Sequence, residues 1–125
     1  MKRLTILLVE DNEDDRFLTM RALKKLPVEL EFIIAKSGDE ALRNIIDVND
    51  RLPDLVLLDL QLPKISGTTL LATIREKYGN EQLPVVIISS SDNPLDINNC
   101  LKLGISGYLP KPLDATSIAS LIGCR

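Results

Sequence analysis

Apolar positions in this chain follow two rhythms. One is nearly continuous: Leu4-Thr5-Ile6-Leu7-Leu8-Val9, Phe32-Ile33-Ile34-Ala35, Leu55-Val56-Leu57-Leu58 and Val85-Val86-Ile87-Ile88. A strand with one wet face alternates. Runs without alternation predict strands covered on both faces, as in parallel sheets. Gly107-Tyr108-Leu109 is a shorter fifth candidate. The other rhythm is helical. Phe17, Met20, Leu23 and Leu26 predict a first helix, and Ala41, Leu42, Ile45 and Ile46 a second. Leu70, Leu71 and Ile74 predict a third, Ile97, Cys100 and Leu101 a fourth, and Ile118, Leu121 and Ile122 a fifth. The punctuation agrees: Gly79 and Gly104 fall where helices three and four should stop. Asp39 and Asp96 fall in first turns, where negative charge suits the helix dipole, and Pro94 fits the opening turn of helix four.

Strand and helix patterns therefore alternate from end to end, which implies a parallel sheet with right-handed crossovers. At this length the expected fold class is α/β, a doubly wound, flavodoxin-like three-layer sandwich of five parallel strands in order 2-1-3-4-5. Pro110 ends the fifth strand, which suits an edge position.

Composition narrows the chemistry. The chain has 125 residues, enough for one domain spanning 1–125, and 45% are apolar, enough for one core. It contains no histidine, which removes His-dependent triads, His metal sites and a phosphohistidine on this chain. Net charge is -3 and no basic cluster appears, so no nucleic-acid face is expected. The apolar run Leu4 to Val9 is short and followed at once by Glu10 and Asp11, unlike a signal peptide or a membrane span. Cys100 and Cys124 are too few for a disulfide framework, and a reduced, cytoplasmic setting is expected.

Ligands of open α/β sheets gather beyond the carboxyl ends of the strands, where the winding reverses. Here that point lies between strands one and three. Strand one runs into Glu10-Asp11, strand three into Asp59, strand four into Ser89-Ser90-Ser91, and strand five into Pro110-Lys111-Pro112. Clustered carboxylates call for a cation, and a hard divalent ion such as Mg²⁺ takes oxygen ligands. Asp59 could then attack an electrophilic phosphorus, with Lys111 and the Ser89 hydroxyl offsetting charge on the transferring oxygens.

In this arrangement the chain resembles the receiver domains of two-component response regulators, the CheY-like proteins, along essentially its whole length. Glu10-Asp11, within Leu-Leu-Val-Glu-Asp-Asn, resembles the metal-binding pair. Asp59, within Pro-Asp-Leu-Val-Leu-Leu-Asp-Leu-Gln-Leu-Pro, resembles the phosphoacceptor. The resemblance implies a backbone-carbonyl metal ligand at Gln61, a switching hydroxyl at Ser89 followed by the small Ser90, and the site lysine at Lys111. It also implies a cis Lys111–Pro112 bond, a switching aromatic at Tyr108 and a helix-starting glycine at Gly67. Gln61 and Ser91 flank the site and are expected to tune phosphoryl lifetime. The implied function is to accept a phosphoryl group from a sensor histidine kinase or phosphotransfer protein, with Mg²⁺, and to dephosphorylate itself without acting as a turnover enzyme. The face of helix four, strand five and helix five would then meet a downstream protein or a second copy. Leu113 stands where an aromatic is frequent in the family, and the segment after it is short, leaving the shape of that face open. A single receiver without an output domain is implied. The segments Glu10 to Asp15 and Ser89 to Asp92 are similar to those of single-domain partners of phytochrome-type kinases.

Plainer readings stand beside these. Asp11, Asp14 and Asp15 suit helix capping, Asp59 a turn before Pro63, and Ser89 a strand-end hydroxyl. Lys111 suits solvent, Tyr108 the core or its rim, and Cys100 the core. Three other functions use the same fold or chemistry. A haloacid dehalogenase-like, Mg²⁺-dependent phosphatase would need an acid/base two residues after its aspartate, where this chain has the amide Gln61. A flavin carrier would need a phosphate-cradling first loop, whereas Glu10 to Asp15 holds five negative charges. A pseudo-receiver would share the fold without ever being phosphorylated.

Overall fold

The computed structural model describes residues 3–45, 52–90 and 93–121. Five strands and five helices alternate along it: β1 (Arg3–Val9), α1 (Glu13–Leu23), β2 (Glu29–Ala35), α2 (Gly38–Ile45), β3 (Leu55–Asp59), α3 (Gly67–Lys77), β4 (Val85–Ser89), α4 (Pro94–Leu103), β5 (Gly107–Pro110) and α5 (Ala115–Leu121). The strands form one parallel sheet in the order β2-β1-β3-β4-β5, as expected. Ile46, Ser91, Ile122 and Cys124 lie outside the described residues. Among the described residues no helix is long and apolar enough to cross a membrane.

The continuous apolar runs find their explanation in two cores. Successive strand side chains point to opposite faces. Leu7, Val9, Val56, Leu58, Val85 and Ile87 therefore face one way and pack with Ala41, Ile45, Leu70, Leu71, Ile74 and Cys100 of α2, α3 and α4. Ile6, Leu8, Leu55, Leu57, Val86 and Ile88 face the other way and pack with Ala22 and Leu23 of α1, Leu26 just beyond it, and Ile118 of α5. In β3 and β4 every position is buried, so neither register is free to be polar until Asp59 and Ser89 at their ends, whereas β2 at the sheet edge carries exposed Glu29 and Glu31. The same alternation puts Asp59, the last residue of β3, on the α1–α5 side.

Three expectations need correction. Phe17 is 64% exposed and does not belong to the buried stripe of α1. That stripe is Thr19, Ala22, Leu23 and Leu26, with ideal helical spacing but small residues at two of its positions. Leu101 and Leu121 are likewise exposed rather than core. Gly79 does not cap α3: Tyr78 does so in extended conformation, its N–H reaching the Ile74 carbonyl. Gly104 does end α4, at φ +103°, where any other residue would be strained.

Arg75 of α3 ties the end of the sheet opposite the strand carboxyl termini. Its guanidinium donates to the carbonyls of Gly104 (2.9 Å), Tyr78 (3.1 Å) and Leu83 (2.9 Å) and to Asn80 Oδ1 (3.0 Å). Burial pushes its pKa down. Replacing Arg75 with Met keeps the aliphatic stem but strands those partly buried acceptors. The expected loss is about 1–3 kcal/mol in urea unfolding, with no change in the slope of the transition.

Candidate phosphoryl-transfer site

Each candidate side chain reaches the site because an element stops there. β1 stops when Glu10, whose N–H still donates to the Ala35 carbonyl (3.0 Å), gives way to a helix start. Asn12 caps α1, its Oδ1 accepting from the Asp15 N–H at 2.9 Å. The capping alternative for Asp11 is thereby answered: the cap is Asn12, and Glu13, Asp14 and Asp15 occupy the first turn. The turn is tied by Arg16, whose Nη1 donates to the carbonyls of Glu10 (3.0 Å) and Asp11 (3.1 Å). Glu10 is buried and Asp11 exposed.

Asp59 is only 4% exposed. A buried carboxylate must be paired, and Asp59 is: Oδ1 accepts from the Gln61 N–H at 3.1 Å, and Oδ2 lies 3.1 Å from Lys111 Nζ. Ser89 closes β4 on the same edge and is buried. Its carbonyl accepts from the Lys111 N–H at 3.1 Å, which draws the residue after β5 toward the site. The Lys111–Pro112 peptide is cis. Ser90 is exposed, its hydroxyl 3.5 Å from Gln61 Oε1. Tyr108 lies in β5, half-buried against the α3–α4 core rather than among the carboxylates.

Lys111 gathers the charge. Its Nζ lies 2.6 Å from Glu10 Oε1, 2.9 Å from Asp15 Oδ2 and 3.1 Å from Asp59 Oδ2. Burial alone would lower its pKa, but the three carboxylates outweigh that and hold it above the ordinary lysine range. Glu10 moves the opposite way from a simple ion pair. Burial pushes its carboxyl up from 4.5 to about 7, and nearby Asp59 adds to this while Lys111 opposes it. One carboxylate oxygen each from Glu10, Asp11 and Asp59 lie within 4.8 Å of one another. Three hard oxygen donors this close together, with excess negative charge, fit a divalent cation. Reading strand ends for candidate residues missed Asp15 and Arg16, which reach Lys111 and the Glu10–Asp11 carbonyls from inside a helix.

The Glu10 shift has a sign that can be tested. Its folded pKa exceeds its unfolded value, so the protonated carboxyl favours folding. That contribution is complete below pH 4.5 and is lost as pH rises through about 7. In chelator, without divalent ions, the native chain should lose stability relative to Glu10→Gln as pH rises from 5 to 7. Paired thermal melts measure this, and parallel curves for the two proteins would rule it out.

The family model of the response regulator receiver domain matches residues 6–123. The chain belongs to this family. Response regulator Rcp1 of Synechocystis is 32% identical over 121 residues, covering 94% of this chain and 82% of that protein. The structure of Rcp1 in its Mn²⁺-bound form superposes with a TM-score of 0.78, at 31% identity over 95% of this chain and 88% of that one. The bacteriophytochrome response regulator AtBRR gives a TM-score of 0.83, at 32% identity over 98% of this chain and 92% of that one. The phosphorylated cyanobacterial phytochrome response regulator RcpA gives 0.79, at 32% identity over 96% and 89%. Receiver domains serve two-component signalling and are not, in general, turnover enzymes. The phosphatase alternative finds no support in these relatives.

Proposed function

We propose that this receiver accepts a phosphoryl group on Asp59 from the phosphohistidine of a sensor kinase or phosphotransfer protein, with Mg²⁺ held by Glu10, Asp11, Asp59 and the Gln61 carbonyl. The observation that carries the reading is the placement of buried Asp59 against Lys111, within reach of the Glu10–Asp11 carboxylates. A divalent ion there would offset the charge of the entering phosphoryl oxygens. Asp59 Oδ attacks phosphorus as the P–N bond of the donor breaks, and the electron pair leaves with the imidazole. The Gln61 N–H fixes the carboxylate orientation from Oδ1. Lys111 and the Ser89 hydroxyl take up charge on the phosphoryl oxygens.

The output follows from new contacts that favour one of two states. Ser89 turns toward the phosphoryl group and Tyr108 turns inward, altering the face of α4, β5 and α5. Leu95 (70% exposed) and Leu101 (59%) already present apolar surface on α4. A downstream protein or a second copy reads that face. Gln61, and Ser91 by its place in the sequence, set how fast water reaches the phosphoryl group, and slow self-dephosphorylation resets the switch. AtBRR is by name a bacteriophytochrome response regulator and RcpA a cyanobacterial phytochrome response regulator, and a kinase of the phytochrome type is the proposed donor.

The deciding experiment is intact-mass measurement after incubation with acetyl phosphate and Mg²⁺. The expected result is one phosphoryl group per native chain and none on Asp59→Asn. Label at full level on that variant would reject the assignment, and continuous turnover of phosphate esters would reinstate the phosphatase.

A further inference from the structure

Lys111 is shared among three carboxylates, and two of them, Glu10 and Asp59, also belong to the cation seat. The two demands conflict. An oxygen committed to a divalent ion offers less negative charge to an ammonium beside it, and the two cations repel. Asp15 is the carboxylate outside this competition. It is not among the three residues whose oxygens gather within 4.8 Å of one another, yet its Oδ2 stands 2.9 Å from Lys111 Nζ. The first turn of α1 fixes it there, its backbone N–H held by Asn12 Oδ1 at 2.9 Å. Its side chain lines a cleft of about 320 Å³ with Leu18, Thr19, Ser90, Lys111 and Leu113, so the position is accessible and a change of charge leaves the core untouched.

We propose that Asp15 is a positioning residue: it keeps the Lys111 ammonium beside Asp59 when a divalent cation draws on Glu10 and Asp59. Without it, the carboxylates left to hold Lys111 among the described residues are the cation's own ligands. Ammonium and metal then compete for the same oxygens, and whichever wins leaves the site incomplete for phosphoryl transfer. The metal-binding part of this inference stands on the geometry alone, and the transfer part rests on the Asp59 reading.

Two readouts on the full chain separate them. The first is Mn²⁺ affinity of the unphosphorylated protein, by calorimetry or electron paramagnetic resonance. Asp15→Asn should bind roughly three- to tenfold more weakly than the native chain, the scale of a partly exposed charge pair. The second is the rate of phosphoryl uptake from acetyl phosphate at saturating Mg²⁺, which should fall roughly three- to tenfold because Lys111 is misplaced even when metal is bound. Asp15→Glu should recover a large part of both. Asp14→Asn removes the same charge from an exposed neighbour in the same turn and should leave both unchanged. Equal behaviour of Asp15→Asn and Asp14→Asn in both readouts would overturn the proposal. Reduced Mn²⁺ affinity in a chain that takes up no phosphoryl group would support the positioning role and reject the Asp59 reading.

Discussion

The Asp59→Asn protein is expected to take up no phosphoryl group while folding at least as stably as the native chain. The first half follows from nucleophilicity: a carboxamide oxygen carries no formal charge and cannot leave a stable acyl phosphate. Loss should be complete within detection, because Glu10, the other buried carboxylate against Lys111, is proposed as a cation ligand and not as the nucleophile. The second half follows from the electrostatics of the edge. Two buried carboxylates, Glu10 and Asp59, share one ammonium at 2.6 and 3.1 Å, and Asp59 helps to raise the Glu10 pKa. An amide at position 59 removes the repulsion, keeps an acceptor for the Gln61 N–H, and leaves Lys111 to Glu10 and Asp15. Melting at neutral pH in chelator should be unchanged or higher by up to about 5 °C, for about 1 kcal/mol relieved. The pH-dependent destabilisation assigned to Glu10 should shrink in the same variant. A variant that neither labels nor folds would show that Asp59 holds the domain together, contrary to this account.

This division between catalysis and stability explains how much was legible in the sequence. The central strands were legible because both sheet faces are covered there, while the start of β2, with exposed Glu29 and Glu31, lay outside its apolar run. β3 and β4 are fully buried along their whole lengths. The site residues were legible for a related reason: a carboxylate after four buried apolar residues, as at Asp59, has no ordinary place in such a strand. Helix faces were harder. In α1 two of the buried side chains, Thr19 and Ala22, are small and carry little hydrophobic signal. Leu23, Leu26 and half-buried Met20 of the predicted stripe do pack on the core, and only the larger Phe17 misled. Pairings set by tertiary folding were not legible at all. Lys111 meets Asp15 across 96 positions of sequence, and Arg75 meets Gly104 across 29. No local pattern marks such a partner, since first-turn aspartates and helix-terminal arginines are common without one.

Gly67→Ala is expected to lose about 2–4 kcal/mol of stability, the cost of overpacking where backbone must yield. α3 begins hard against the end of β3. The Gly67 N–H donates to the Leu60 carbonyl at 2.9 Å, and Ser66 caps the helix by accepting from the Thr69 N–H. A Cβ added at Gly67 would stand 2.5 Å from Leu60 Cα and 2.6 Å from the Asp59 carbonyl oxygen. Neither atom can rotate away, because both are main chain. Either the α3 start lifts off or the β3–α3 connection retreats. The second movement carries Asp59 and Gln61 with it, so the phosphoryl uptake that survives should also be slower. Gly79→Ala is the matched control: the nearest atom to its added Cβ is Gln82 Oε1, 4.0 Å away at the end of a flexible side chain. In chemical denaturation the Gly67 variant should unfold at clearly lower denaturant, and the Gly79 variant within about 0.5 kcal/mol of the native chain. Equal midpoints for all three proteins would mean that the β3–α3 contact yields freely, and that Asp59 is not held in place by the helix that follows it.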